Sequence, residues 1–197
     1  MVLFVILYLL IYIPCMLLFP TIVKGRKNLP KKQGYILCAN HTSNMDTVIL
    51  DIRLYKRLTF LGKKELCKSK FSKFMFTKVF GMIPVDRENA DITAFKTVMN
   101  TLKNNKPVGI FPEGTRNKTQ NVNQMQDVKA GAIVFAGKAN VPIVPVVFKK
   151  KPRIFCINKL IIGEPFYIEA ENPKKLTSEE LAKNEKLLAE KIEALRK

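Results

Sequence analysis

The sequence predicts an α/β domain, a mixed and mostly parallel sheet flanked by helices, with a hydrophobic N-terminal helix that anchors it to a membrane. Three observations predict it: short aliphatic runs recur along the chain, helical stretches lie between them, and residues 1–23 carry no charged side chain. Strands buried on both faces read as continuous apolar runs. Strands that alternate with helices close into layered α/β architectures. A length of 197 residues fits one domain with an appendage, divided here into an anchor over 1–23 and a globular body over 24–197.

The first element is the anchor. As a helix of roughly 22 residues it would reach about 33 Å, close to the roughly 30 Å of bilayer hydrocarbon. Pro14 removes a backbone hydrogen bond and kinks such a helix, so a single span and a monotopic helix that only dips both stay open. No basic residue precedes the apolar stretch and no small-residue cleavage site follows it, which speaks against a removed signal peptide. Lys24, Arg26, Lys27, Lys31 and Lys32 come next, with no acid among them. Cations in that position place the body at the cytoplasmic face and attract anionic headgroups by about 1 kcal/mol each.

Within the body, buried strands are expected at residues 34–39, 58–61, 107–111, 143–148 and 160–162, each bounded by a turn signal at one end or both. A helix is expected over 91–104, with Ile92, Phe95, Val98, Met99 and Leu102 as its apolar positions. The last helix opens on the capping-box pair Thr177 and Glu180, and continues with Leu181, Leu188, Ile192 and Leu195 on one face. Over residues 63–78 lysines alternate with Leu66, Phe71, Phe74, Met75 and Phe76. That segment reads either as a solvated charged face or as a basic amphipathic element resting on anionic lipid.

Charge narrows the partners. Lys and Arg number 34 against 16 Asp and Glu, a net charge of +18, which calls for an anionic partner, nucleic acid or a membrane surface. No nucleic-acid recognition motif accompanies the lysines, and the apolar N-terminus selects the membrane. A hydrophobic content of 47% excludes a disordered chain. Cys15, Cys38, Cys67 and Cys156 show neither CxxC nor metal-ligand spacing. With one histidine in the chain, no metal and no resident cofactor are expected.

That histidine is the candidate for the chemistry, with a hydrogen-bonding turn residue as the structural alternative. His41 stands in Asn40-His41-Thr42-Ser43-Asn44-Met45-Asp46, after the first expected strand of the body. A neutral-pH imidazole base has no other candidate in this chain. Asp46 lies five residues on, about 140° away on an ideal helix, so contact requires a strand-to-helix turn that folds the carboxylate back. An aspartate so placed holds the imidazole tautomer. Ser43 and Asp46 also fit a capping box, a purely structural alternative. Two further strand ends present cations: Gly81-Met82-Ile83-Pro84-Val85-Asp86-Arg87 and Phe111-Pro112-Glu113-Gly114-Thr115-Arg116. Strand ends in an α/β sheet converge on one crevice, where two arginines grip a phosphate; the alternative is local ion pairing of Arg87 and Arg116 with neighbouring acids.

These blocks, with Val141-Pro142-Ile143-Val144-Pro145-Val146 and the Gly62-Lys63-Lys64-Glu65-Leu66 segment, resemble the glycerolipid acyltransferases, and among them the 1-acylglycerol-3-phosphate acyltransferases. The resemblance runs from about residue 25 to residue 166 and implies a glycerol-3-phosphate acyltransferase-like fold, with residues 24–197 as the acyltransferase domain. It implies His41 as general base and Asp46 as its partner. Arg87, Glu113, Gly114, Thr115 and Arg116, with Lys63 in addition, would bind the phosphate and glycerol of lysophosphatidic acid. The acyl donor would be a thioester of acyl-carrier protein or coenzyme A, used as co-substrate. Three features depart from the family's pattern: Val128 precedes Lys129-Ala130-Gly131-Ala132 where phenylalanine is usual, the loop over 117–127 contains no glycine, and the N-terminal apolar segment is one kinked stretch, shorter than in many members. Other acceptors within the family, a thioester hydrolase and a non-enzymatic basic membrane adaptor are the alternatives.

Overall fold

Each apolar run expected as a strand lies in one seven-stranded sheet of the computed structural model, which describes residues 2–54, 57–86, 91–114 and 128–197, with side chains from residue 9 onward. In chain order the elements are α1 (Val2–Leu18), β1 (Thr21–Lys24), β2 (Ile36–Ala39), α2 (Asp46–Leu54), β3 (Thr59–Lys63), α3 (Lys70–Phe74) and β4 (Met82–Val85). There follow α4 (Ile92–Lys103), β5 (Val108–Ile110), α5 (Gly131–Ala139), β6 (Ile143–Phe148), β7 (Asn158–Ile162) and α6 (Ser178–Arg196). The sheet order is β1-β7-β6-β2-β5-β3-β4. All neighbours run parallel except β6 and β7, so the sheet is mixed and mostly parallel, as expected.

That order positions the site. Strands β6, β2, β5, β3 and β4 run in one direction, and their C-terminal ends share one sheet edge. From β2 the chain moves outward to β3 and β4, returns to insert β5 beside β2, then crosses to β6 on the other side. A reversal of this kind opens a crevice at the carboxyl ends of the central strands.

Why the runs are apolar throughout is visible in β2. Ile36 and Cys38 face one core, with Val98 and Leu102 of α4, Ile133 of α5 and Leu188 of α6. Leu37 and Ala39 face the other, with Ile49, Leu50 and Leu54 of α2. Period-two alternation with helices on both sides leaves no polar face. The expected helix over 91–104 is α4, capped by Asp91 accepting from the Ala94 amide. The capping box of α6 forms through Thr177 and Glu180, and Leu188 and Ile192 are fully buried.

The N-terminus corrects one expectation. The helix in the apolar stretch is 17 residues long, contains Pro14 and stops at Leu18. No helix among the described residues is long and apolar enough to cross a membrane, so the single-span form of the anchor expected over 1–23 has no helix to support it. The reason is sheet pairing: after Phe19 and Pro20, residues 21–24 form β1, parallel to β7 with Thr21 opposite Asn158. Pairing on the sheet edge outweighs the apolar composition that reads as helix. The stop is also built from tertiary contacts, because Arg53 of α2 donates to the Met16 and Phe19 carbonyls, placing a cation at the helix C-terminus.

Candidate active site

The crevice begins where β2 ends. Asn40 continues the strand with its side chain, donating Nδ2–H to the Phe148 carbonyl at 3.1 Å and accepting the Phe148 amide at 2.8 Å. The carboxamide thus replaces one rung of the β2–β6 ladder and fixes the residue before His41. The chain then turns, and α2 starts at Asp46. The Asp46 carboxylate folds back over this turn: Oδ2 lies 2.9 Å from His41 Nδ1 and accepts the Thr42 and Ser43 amides at 2.6 and 2.7 Å. Ser43 Oγ accepts from the Met45 amide. The two sequence readings of this stretch are therefore compatible, since one carboxylate both ties down the helix start and meets the imidazole.

Asp46 is fully buried, while the His41 side chain keeps 18% of its surface exposed. A carboxylate is acceptor-only, so Nδ1 donates and Nε2 is left with its lone pair. The opposite side of the imidazole is closed by Phe111, stacked with ring centroids 4.0 Å apart, and Phe111 stacks in turn on Phe60. A ring held by one hydrogen bond and one stacking face has little freedom to turn.

Phe111 follows β5, the neighbour of β2, and so brings the second block into the crevice. Glu113 is buried, with Oε1 accepting from the His41 amide at 3.4 Å. Gly114 closes a tight turn, its amide on the Phe111 carbonyl at 3.0 Å, with φ +69° in the left-handed region that glycine enters without strain. Lys63 is the last residue of β3, exposed on the same sheet edge. Arg87, Thr115 and Arg116 lie outside the described residues, as does the loop over 117–127; the described chain stops beside them at Asp86 and Gly114. Asp86 itself pairs with Lys64 at 2.6 Å.

Sequence reasoning passed over three residues here. Asn40 was legible only as part of a block, because its partner Phe148 is 108 residues away. Phe111 read as the end of a strand rather than as a wall of the base. Lys129 donates its amide to the Pro112 carbonyl, and its Nζ lies 3.2 Å from where a Cβ on Gly114 would be. It is thus a cation over the turn that no spacing announced.

An imidazole with a free Nε2, a buried carboxylate behind it and several cations on one sheet edge can remove a proton from a hydroxyl of an anionic substrate. Comparisons with known proteins give the family. Residues 21–149 match the family model described as Acyltransferase. A Bacillus subtilis 1-acyl-sn-glycerol-3-phosphate acyltransferase is 30% identical over 88% of this chain and 86% of its own length. One from Borreliella burgdorferi is 31% identical over 70% of this chain, which spans 54% of that protein. In fold, the chain is similar to the crystal structure of the 1-acyl-sn-glycerophosphate (LPA) acyltransferase PlsC from Thermotoga maritima. The TM-score is 0.67 at 24% identity, covering 89% of this chain and 70% of that one.

Proposed function

The chain belongs to the acyltransferase family and is an acyltransferase, and from that premise we propose that it acylates the 2-hydroxyl of 1-acylglycerol 3-phosphate from an acyl thioester, giving phosphatidic acid. The observation that carries this is the His41–Asp46 contact of 2.9 Å at the head of the β2–β5 crevice. His41 Nε2 takes the proton of the acceptor hydroxyl as that oxygen attacks the thioester carbonyl. Collapse of the tetrahedral adduct expels the thiolate, which receives the proton from the imidazolium, and His41 returns neutral. The acceptor attacks directly, so no serine nucleophile and no acyl-enzyme are required.

Asp46 acts through His41: it holds the tautomer and orientation and stabilises the imidazolium. Arg87, Thr115, Arg116 and Lys63 bind the acceptor's phosphate and glycerol, together with Glu113 and Gly114. Backbone amides near Gly114 receive the developing oxyanion. The donor is a thioester of coenzyme A or of acyl-carrier protein. The protein works at the cytoplasmic face of an anionic membrane, α1 lying in the interface as a monotopic element. In support, Leu10 and Leu17 are 65% and 69% exposed on that helix while Tyr12 is buried.

The test is to incubate detergent-solubilised protein with lysophosphatidic acid and an acyl thioester, following free thiol and phosphatidic acid together, beside His41→Ala. Equal release and formation are expected, with kcat lower by about 10²–10⁴-fold in the variant. Near-parental turnover of His41→Ala refutes the assignment of the base. Thiol without lipid product refutes transfer to this acceptor.

A further inference from the structure

The connection from β6 to β7, residues 149–157, has no part in the site described above. Three large apolar side chains stand out of it: Ile154, Phe155 and Ile157 are 53%, 80% and 68% exposed. Isolated apolar residues at a surface are ordinary, but these are held there. The Phe155 amide donates to the Leu18 carbonyl at 2.8 Å, hanging the loop on the C-terminal end of α1. Asn158, itself buried, accepts the Arg153 amide and donates to the carbonyls of Pro20, Arg153 and Cys156. Phe155 has φ +56°, a left-handed conformation that an aromatic residue rarely adopts. The fold maintains it with the ring directed into solvent.

We propose that this loop is a second membrane-insertion element. Ile154, Phe155 and Ile157 enter the acyl region of an anionic phospholipid bilayer beside α1. The proposal rests on the membrane association stated above and adds a contact that lies outside the N-terminal helix. Two observations choose the occupant. The loop is tied to the C-terminal end of α1 through Phe155 and Leu18, and on that helix the exposed Leu10, Ile13 and Leu17 recur at helical spacing. The tip is also flanked by exposed Lys150, Lys151 and Arg153, cations that match headgroup phosphates while the tip matches acyl chains. A second copy of the chain fits poorly, because each copy carries a net charge of +18 and a symmetric contact sets like charges face to face.

The chain contains no tryptophan, so Phe155→Trp introduces a single reporter. With vesicles of phosphatidylglycerol and phosphatidylcholine carrying brominated acyl chains, its emission shifts to the blue and is quenched. The double variant Phe155→Asn/Ile157→Ser, in which asparagine tolerates the left-handed backbone, lowers partition onto unbrominated vesicles by about tenfold or more. It leaves the thermal melt and transfer in detergent micelles at parental values. Phe155→Trp bound to vesicles with its emission unquenched overturns the proposal and leaves membrane association standing. Failure of the parent to bind vesicles removes both. A blue shift without lipid, on raising protein concentration or adding acyl-carrier protein, overturns it in favour of that partner. Vesicle binding with quenching but no transfer in micelles leaves the loop's role intact and refutes the proposed reaction.

Discussion

Replacing Asp46 with asparagine separates the two roles its carboxylate has in the structure. Oδ2 accepts from His41 Nδ1, the Thr42 amide and the Ser43 amide, and Oδ1 from Thr42 Oγ1. An asparagine loses the charge and replaces one acceptor oxygen by an amide NH2, which can face His41 Nδ1 and accept nothing from it. The helix start then weakens by about 1–2 kcal/mol, the size of a cap substitution. In a domain of this size that lowers the melting temperature by roughly 2–8 °C. For His41 the loss is larger, because nothing then enforces the tautomer with Nε2 unprotonated and no anion compensates the imidazolium. A charge-assisted hydrogen bond contributes about 1.5–3 kcal/mol, and a wrong tautomer adds to that, so kcat is expected to fall by about 10²–10⁴-fold. KM for lysophosphatidic acid should stay within a few-fold, since Asp46 is fully buried and has no surface to offer the acceptor. The assay is initial-rate kinetics over a range of acceptor concentrations, with a thermal melt on the same preparation. A variant with lowered melting temperature but kcat within about threefold of the parent would show a cap and nothing more, and the reasoning about the base would fall.

Three further outcomes follow from the geometry and the blocks. Asn40→Ala leaves the buried Phe148 amide and carbonyl without the Asn40 side chain, which costs about 2–4 kcal/mol in urea unfolding; a variant as stable as the parent would dismiss the side chain as a ladder rung. Burial holds the Asp51 carboxyl above the usual aspartate value, opposed by hydrogen bonds from Tyr12 and the Leu58 amide and by the Arg57 charge. A raised folded-state pKa favours folding most at low pH, and that contribution is lost as pH rises through it. Asp51→Asn should therefore gain stability relative to the parent as pH rises above the ordinary aspartate value of about 4, and a difference independent of pH in unfolding titrations would contradict this. Arg116→Ala should raise KM for the acceptor by roughly ten- to a hundredfold, as for one lost charged hydrogen bond; a rise in KM for the thioester alone would reassign the residue.

Much of the fold was legible because its signals are local. A strand covered by helices on both faces must be apolar at every position, and residues 36–39, 143–148 and 108–110 are fully buried for that reason. Helix starts are equally local, since Asp91 and Thr177 satisfy amides three residues on. The His41–Asp46 pair was legible too, because five residues across a strand-to-helix turn leave one way for the two side chains to meet.

Residues 63–78 show where pattern is ambiguous. The segment becomes a short turn, α3 and a wide helical turn over Met75–Val79. Its Leu66, Phe71 and Phe74 remain exposed alongside the lysines, so its apolar residues do not mark a core.

What the sequence by itself determined about this protein is the layered α/β class, the composition of its buried strands, the place of α4, the cap of α6, and the pairing of His41 with Asp46. The tertiary structure alone decided which strands are neighbours, that β7 is reversed, and that residues 21–24 leave the apolar stretch to pair with a strand near the other end of the chain. It alone put Asn40 on Phe148, Tyr12 on Asp51 at 2.6 Å, and Phe111 against the imidazole. The physical reason is range. Capping and burial pattern are set by residues a few positions apart. Strand order and these cross-chain contacts depend on surfaces that exist only once distant segments have packed.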